Sequence, residues 1–438
     1  MANWNVHPSI QAVVFDLDDT LASTAHLDAA RRSGDRAEVR QSLASIEVPA
    51  GLPELLEELQ HQVPLAVVTQ APRWYADLVL GHHYPDVRWS ALVTSGDVDR
   101  RKPYPDALEL AASQLGLKEA GELVYVGDSA EDVEAAFHAG ATCVLATWIR
   151  TDERGFRLLP DGVLPDVSLL PAFLESPGHF LPPLEGTQSP RCSSPATSLT
   201  FRTVPIASPQ ADTPQVSVLG RYFAQTPRVR HLHDRHAFSR LIARKDEEGE
   251  FEFPVAWLPV LRALIGHMAK RHHVDTVTVI PAKVGRDPRL ERLLSQVQDG
   301  LGGAWNGEYV PDLLRFQPDA QRVRHASPPE RARRALESLV VQGDAQGKVI
   351  LVIDDVLTTG ATLAAARTRL VEAGAASVIL FSLTATVGDR LFEVEPRLER
   401  CPTCGGKLLT MTNRQTGERF LGCLNYRRLH CPYTRRLA

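Results

Sequence analysis

The chain has 438 residues, 48 of them Lys or Arg and 53 Asp or Glu, for a formal net charge of −5. At roughly 100–200 residues per domain, that length holds several domains, each with a core of its own. No apolar run reaches the ~18 residues of a membrane span, and the opening MANWNVHPSIQAVVFD lacks the basic and apolar regions of a signal peptide. These features exclude a secreted, membrane-spanning or mainly disordered chain and lead us to expect a cytoplasmic one.

Residues 10–172 alternate short apolar runs (AVVFDLD, LAVVTQ, LVYVGDS, TCVLAT) with helical patterns such as PELLEELQ and the stretch Pro105–Leu117. Strands alternating with helices predict a doubly wound parallel sheet, and a first α/β domain over 1–172. From Pro171 to Pro214 there are nine prolines in 44 residues among many Ser and Thr, which predicts a linker over 173–215. The alternation then resumes in a second α/β domain over 216–395. A helix is predicted at Trp257–His272, strands at TVTVIPA, VILVIDD and SVILFSLTA, and another helix at Thr362–Ala373. Residues 396–438 are too short for an apolar core and need a staple. From Arg397 to Ala438, nine Lys or Arg stand against two Asp or Glu, and four of the six cysteines lie there. Clustered cysteines in a reducing compartment point to metal rather than disulfides; Cys143 and Cys192 stand apart and read as structural or incidental.

The first apolar strand closes on Phe15-Asp16-Leu17-Asp18-Asp19-Thr20-Leu21. Asp16 and Asp18 share a face, because side chains two apart in a strand point the same way, and ligands of open α/β sheets collect at the carboxyl edge. Three acids after an apolar strand need compensation, which a bound cation supplies. Later strand ends add Thr69, then Lys102 in RKPYPD, then Asp128 and Asp132 in GDSAED. This set resembles the haloacid dehalogenase superfamily, whose motifs DxDxT, Thr/Ser, Lys and GDxxxD occur here in that order. The resemblance implies a phosphomonoesterase. Asp16 is then the nucleophile that forms an aspartyl-phosphate and Asp18 the acid and base; Thr69 and Lys102 hold the phosphoryl oxygens. A Mg²⁺ ion is held by Asp16, the Asp18 carbonyl and Asp128, with Asp132 in support. Only residues 22–50 are left for a cap, enough for one or two short helices and an open site.

In the second domain, the buried strand Val349–Ile353 runs into Asp354 and Asp355, then Thr358, Thr359, Gly360 and Thr362 at the start of a helix. Helix N-terminal amides and threonine hydroxyls suit a phosphate, glycine lets the backbone approach it, and paired acids suit ribose hydroxyls. The segment resembles the phosphoribosyl pyrophosphate (PRPP) loop of type I phosphoribosyltransferases. HAFSRLIARKDEEG, TVTVIPAKVGRDPRLERLLSQVQDGLG and LLRFQPDAQRVRHASPPERARRALESLVV are similar to the ComF-like branch associated with DNA uptake. The IPAK and RDPRLERLLSQ stretches depart from that branch, so Lys283, Arg286 and Arg289 are candidate rather than assigned pyrophosphate contacts.

Cys401-Pro-Thr-Cys404-Gly-Gly, with Cys423 and Cys431 beyond it, gives two thiolate pairs able to hold one structural Zn²⁺, with His430 as an alternative to Cys431. CPTCGGKL, RFLGCLNYRR and CPYT resemble the zinc ribbons of bacterial type IA topoisomerases, which implies single-stranded DNA as a partner. Phe420, Tyr426 and Tyr433 would stack on bases, and Arg414, Arg419, Arg427, Arg428, Arg435 and Arg436 would meet phosphates. The whole reads as an α/β multidomain protein: a Rossmann-like phosphatase domain, a type I phosphoribosyltransferase domain and a small four-cysteine zinc ribbon over 396–438. Its expected setting is DNA uptake, repair or end processing. The alternatives are a nucleotide salvage enzyme, or an adaptor that binds PRPP and DNA without catalysis.

Overall fold

The computed structural model describes residues 4–189, 201–206, 213–246, 251–283, 285–301, 305–317, 328–393, 401–404, 408–412, 419–423 and 431–436. Its first sheet holds β1 (Ala12–Phe15), β2 (Leu65–Val68), β3 (Trp89–Val93), β4 (Leu123–Gly127), β5 (Thr142–Ala146) and β6 (Gly162–Leu164). The order is β3-β2-β1-β4-β5-β6, parallel throughout. The chain order reverses on either side of β1, so the carboxyl ends of β1 and β4 flank the crevice where ligands of doubly wound sheets bind. β1, β2 and β4 are buried along their whole length, which explains their unbroken apolar runs. Over that sheet, helix Leu52–Leu59 buries Leu52, Leu56 and Leu59, one face of a helical repeat.

The segment expected to form a cap carries two short helices, Asp28–Ser33 and Arg36–Ser42, with a 3₁₀ turn on either side. Asp35 caps the second by accepting from the N–H groups of Ala37 and Glu38.

The second sheet is also largely parallel. Its strands are β7 (Arg202–Pro205), β8 (Gln215–Val218), β9 (Arg221–Phe223), β10 (Thr276–Val279) and β11 (Glu308–Tyr309), then β14 (Val349–Leu357) and β15 (Ser377–Val387). β12 (Leu314–Phe316) and β13 (Leu339–Val341) form a separate antiparallel pair. The order is β11-β10-β14-β15-β8-β7, with β9 also on β15. Helix Trp257–His272 has the bounds the sequence predicts and buries Trp257, Val260, Leu261, Leu264, Ile265 and Met268.

The stretch read as a linker differs from that expectation. Residues 169–175, 177–180 and 183–186 are short helical segments, and Arg202–Pro205 is an edge strand antiparallel to β8. Between residues 190 and 214, only 201–206 and 213–214 are described.

The two α/β units share one core. A single buried cluster runs from Ala12 and Val14 of the first sheet to Ile350 and Val352 of the second, with Phe137 edge-on to Phe223 at 5.4 Å. A buried ionic knot fastens them. Arg221 donates to Glu185 Oε2 at 3.1 Å, Asp161 Oδ1 at 2.5 Å and the Leu159 carbonyl at 2.8 Å, and its own N–H donates to Glu185 Oε1 at 2.5 Å. A third sheet, antiparallel, is formed by β16 (Leu408–Thr412), β17 (Arg419–Cys423) and β18 (Thr434–Arg436). No helix among the described residues is long and apolar enough to cross a membrane.

Candidate functional sites

Asp16 follows β1, Thr69 follows β2 and Asp128 follows β4, so all three stand at the carboxyl edge of the first sheet. Asp132 and Lys102 reach the same place from a helix and a loop. Lys102 Nζ is buried and donates to Asp16 Oδ1 at 2.5 Å, Asp132 Oδ1 at 2.6 Å and the Tyr125 hydroxyl at 2.9 Å. Three acceptors around one ammonium satisfy all three of its donors, the condition for burying a charge.

Asp132 commits both oxygens to protein donors. Oδ1 takes Lys102 and the Tyr125 hydroxyl, and Oδ2 takes the Ser129 N–H at 3.0 Å and Oγ at 2.6 Å, within the capping box of helix Ala130–Ala139. It is therefore a brace for Lys102 and the loop. Gly127 is needed beside it, because a Cβ there would stand 2.4 Å from the Asp132 carboxyl carbon.

Asp16, Asp128 and Asp132 each offer an oxygen within 4.8 Å of one another. Burial pushes the Asp16 carboxyl well above the usual range against the pull of Lys102, with Asp132, Asp128 and Asp18 pushing the same way. Asp128 is raised to about 7 by burial and the Asp132 charge, despite the Arg150 guanidinium beside it. On Asp132, burial is outweighed by Lys102, which holds it below the usual range. Three buried carboxyls thus face one buried ammonium and the half-exposed Arg150 guanidinium, and the donors are hard oxygens. That donor set fits a divalent cation of the Mg²⁺ type.

Asp18 turns away from this triad toward the cap. Its Oδ1 accepts from Thr24 Oγ1 at 2.6 Å and the Tyr75 hydroxyl at 3.2 Å, and its Oδ2 from Arg31 Nη1 at 2.5 Å. This orientation leaves only its main-chain carbonyl for a metal. Thr69 Oγ1 accepts from the Ala71 N–H at 3.0 Å and retains a proton to donate into the site.

Four contributors escape a reading by motif: Tyr125, Arg31, Tyr75 and Arg150. Tyr125 sits inside the apolar run LVYV; the signal for it is the alternation that turns a polar tip toward the same side as Gly127. Arg31, Tyr75 and Arg150 lie 13, 57 and 22 residues from the site carboxylates they contact, and no local spacing marks those contacts.

Residues 34–146 match the family model described as haloacid dehalogenase-like hydrolase. The N-terminal region is a domain of this family. Among similar proteins are the phosphoglycolate phosphatases of Pectobacterium atrosepticum (36% identical over 135 residues, 30% of this chain and 57% of that protein) and Xanthomonas campestris pv. campestris (34% over 150 residues, 32% and 63%). A third is the validoxylamine A 7'-phosphate phosphatase of Streptomyces hygroscopicus subsp. limoneus (37% over 114 residues, 25% and 53%). The chain spans about three-fifths of the length of the first two. The family model covers the region that holds Thr69, Lys102, Asp128 and Asp132; Asp16 and Asp18 precede it.

The second domain carries its own polar cleft, of about 590 Å³, at the carboxyl end of β14. Asp354, Asp355, Thr358 and Thr362 line it together with Lys245, Lys283, Arg286 and Arg289. Lys245 Nζ donates to Asp355 Oδ2 at 3.0 Å, with Arg289 at 3.6 Å. Asp354 is raised to about 8, by burial and then by the charge of Asp355. Thr359 is exposed. Gly360 precedes helix Ala361–Glu372 in the left-handed region at φ 76°, and a Cβ there would meet Ile206 at 2.4 Å.

In the tail, the four Sγ atoms of Cys401, Cys404, Cys423 and Cys431 lie within 4.8 Å of one another, with Cys401–Cys431 at 3.6 Å and Cys404–Cys423 at 3.4 Å. Those separations exceed the ~2.05 Å of a disulfide and suit the edges of a thiolate tetrahedron around Zn²⁺ at ~2.3 Å. Cys431 belongs to the cluster, while its alternative His430 lies outside the described residues. Phe420 is half-buried and pairs in register with Arg436; Tyr433 packs against the cysteine cluster. Tyr426, Arg427, Arg428 and Arg414 lie outside the described residues.

Proposed function

We propose that the first domain is a Mg²⁺-dependent phosphomonoesterase with Asp16 as nucleophile. The observation that carries this reading is Lys102 bound to both Asp16 and Asp132 at the carboxyl edge, beside Asp128. The phosphatases among the similar proteins support the same activity.

Asp16 attacks phosphorus, the bond to the leaving oxygen breaks, and Asp18 gives that oxygen its proton. Asp18 then takes a proton from water as the water attacks, and the Asp16–phosphorus bond breaks. Lys102 and Thr69 hold phosphoryl oxygens through both steps. Asp16, Asp128 and the Asp18 carbonyl would hold the metal ion, which supplies charge stabilisation to the phosphoryl group.

The second domain, on this proposal, binds PRPP or another phosphorylated ribose in its cleft as a ComF-like phosphoribosyltransferase domain. Asp354 and Asp355 meet the ribose hydroxyls there, and the Thr358–Thr362 loop meets the phosphate. The tail is a zinc ribbon that holds single-stranded DNA, with exposed Arg435 and Arg436 on phosphates. Together these parts act in DNA uptake, repair or end processing.

The test is phosphate release with Mg²⁺ from mononucleotides, PRPP and 5′- or 3′-phosphorylated oligonucleotides, with Asp16→Asn as control. Preference for oligonucleotide ends supports the DNA role. Turnover of small phosphates alone overturns it and favours salvage.

A further inference from the structure

Arg31 stands at the phosphatase site without a part in the phosphoryl chemistry. It projects from the first cap helix, Asp28–Ser33, and its side chain is only 20% exposed. Nη1 is bound to Asp18 Oδ2 at 2.5 Å, Nη2 is tied to Asp28, and the guanidinium lies 5.7 Å from the centre of the Tyr75 ring. The neighbouring cap arginines face elsewhere. Arg32 is 77% exposed and paired with Asp28, and Arg36 lies over Trp74 at 5.2 Å.

The partners of Asp18 decide what this contact means. Oδ1 is held by two hydroxyls, those of Thr24 and Tyr75, so Oδ2 is the oxygen left for proton transfer, and Arg31 is on it. A general acid must lie within hydrogen-bond reach of the leaving oxygen. When a substrate's ester oxygen takes that position, the guanidinium gives up Asp18 and keeps only Asp28. A guanidinium this little exposed is best matched by a new carboxylate or phosphate. On the phosphatase reading, a leaving group hydrogen-bonded to Asp18 would lie beside it.

We propose that Arg31 is the specificity-determining residue of this site and that it binds a second anionic group on the substrate's leaving group. The argument rests on the phosphatase reading above. With one hydrogen bond from ester oxygen to Asp18 and another from the guanidinium to the anion, the second anion sits roughly 4–6 Å from the ester oxygen, about two to four bonds away. Carboxylate and phosphate share this chemistry, and the assay separates them.

The full chain with Mg²⁺ is assayed on 2-phosphoglycolate (a carboxylate), a nucleoside 2′,3′-bisphosphate (a second phosphate) and ethyl phosphate (no second anion). The readout is the ratio of kcat/KM between the anionic substrates and ethyl phosphate, which a general loss of activity does not move. The expected ratio is tenfold or more for one anionic substrate, expressed in KM, and the substrate that shows it identifies the anion. Arg31→Met brings the ratio close to one, and Arg31→Lys restores part of it. Equal kcat/KM for all three substrates, or a ratio that survives Arg31→Met, overturns the proposal. Should Arg31→Met fail to fold, Arg31→Lys and the wild-type ratio still decide. Absence of Asp16-dependent release from every substrate, p-nitrophenyl phosphate included, instead sinks the phosphatase reading on which this one rests.

Discussion

Asp128→Asn should make the metal-free protein more stable while reducing its activity. The fold raises the Asp128 carboxyl from 3.8 to about 7 by burying it near Asp132. A carboxyl whose folded value lies above its unfolded value binds more protons folded than unfolded, so its ionisation weakens the fold as pH rises between the two values. The penalty is absent below pH 3.8, grows up to about 7 and is constant above that. At ~1.4 kcal/mol per unit it amounts to about 1.7 kcal/mol at pH 5 and about 4 kcal/mol at pH 8. Asn has no charge to lose, so the variant gains that difference, on the order of 10 °C in the unfolding midpoint at pH 8. Arg150 loses its partner at little cost, because its side chain is half exposed. The assay is thermal unfolding at pH 5 and pH 8, in EDTA and in Mg²⁺. In EDTA the variant should melt higher and by more at pH 8; in Mg²⁺ the wild type should close the gap, because the cation answers the same charge. A variant no more stable than wild type in EDTA at pH 8, or an advantage equal at both pH values, refutes the reasoning.

Lys102→Met should abolish phosphate release, by at least about a thousandfold, and lower the unfolding midpoint, since Asp16 and Asp132 lose their shared buried cation; near-normal turnover would contradict the role given to Lys102. Glu185, held down to about 2 by Arg221 and His236 against its burial, contributes stability that is complete above about pH 4.5 and lost as pH falls toward 2. Denaturant unfolding should therefore show Glu185→Gln less stable by roughly 3 kcal/mol at pH 7, with the gap narrowing below pH 4.5. Elemental analysis should find one zinc per chain, lost on Cys404→Ser; a stoichiometry unchanged by that substitution would remove the four-cysteine site.

The polar cluster at the carboxyl edge was legible because three of its members follow apolar strands, where polar side chains have no structural reason to cluster. Asp16, Thr69 and Asp128 each follow a run whose burial is complete, so strand ends alone bring them together. Lys102 and Asp132 needed the family resemblance as well, since neither stands at a strand end. Tyr125 was hidden by its own strand: as one letter of LVYV it counts as apolar, and only the three-dimensional partner reveals its hydroxyl. Arg31 and Arg150 were hidden by distance, because an arginine's reach erases the link between sequence spacing and contact. The edge strand Arg202–Pro205 was missed for a different reason. Proline density argues against a central strand, but β7 lies at the sheet edge with Pro205 at its end, where a missing N–H costs no ladder bond.

One strap shows why the two α/β units work as a single body. After β5, four side chains of residues 148–154 reach successive places. Trp148 Nε1 donates to the Thr20 carbonyl at 2.8 Å, and Arg150 binds Asp128. Asp152 accepts from the Ala130 N–H at 2.6 Å, and Arg154 donates to Glu134 at 3.0 Å and to the Leu391 carbonyl. These contacts run from the motif loop to Asp128, then to helix Ala130–Ala139, and finally to the second domain. Glu134 is fully buried and also accepts the Glu393 N–H at 3.0 Å. A carboxylate of the first domain thus pins Glu393, at the end of the described part of the second. Separating the two units would cost Glu134 the Glu393 N–H, Asp161 the Arg221 guanidinium and Phe137 its edge-on contact with Phe223. The physical unit to assay is therefore the whole chain.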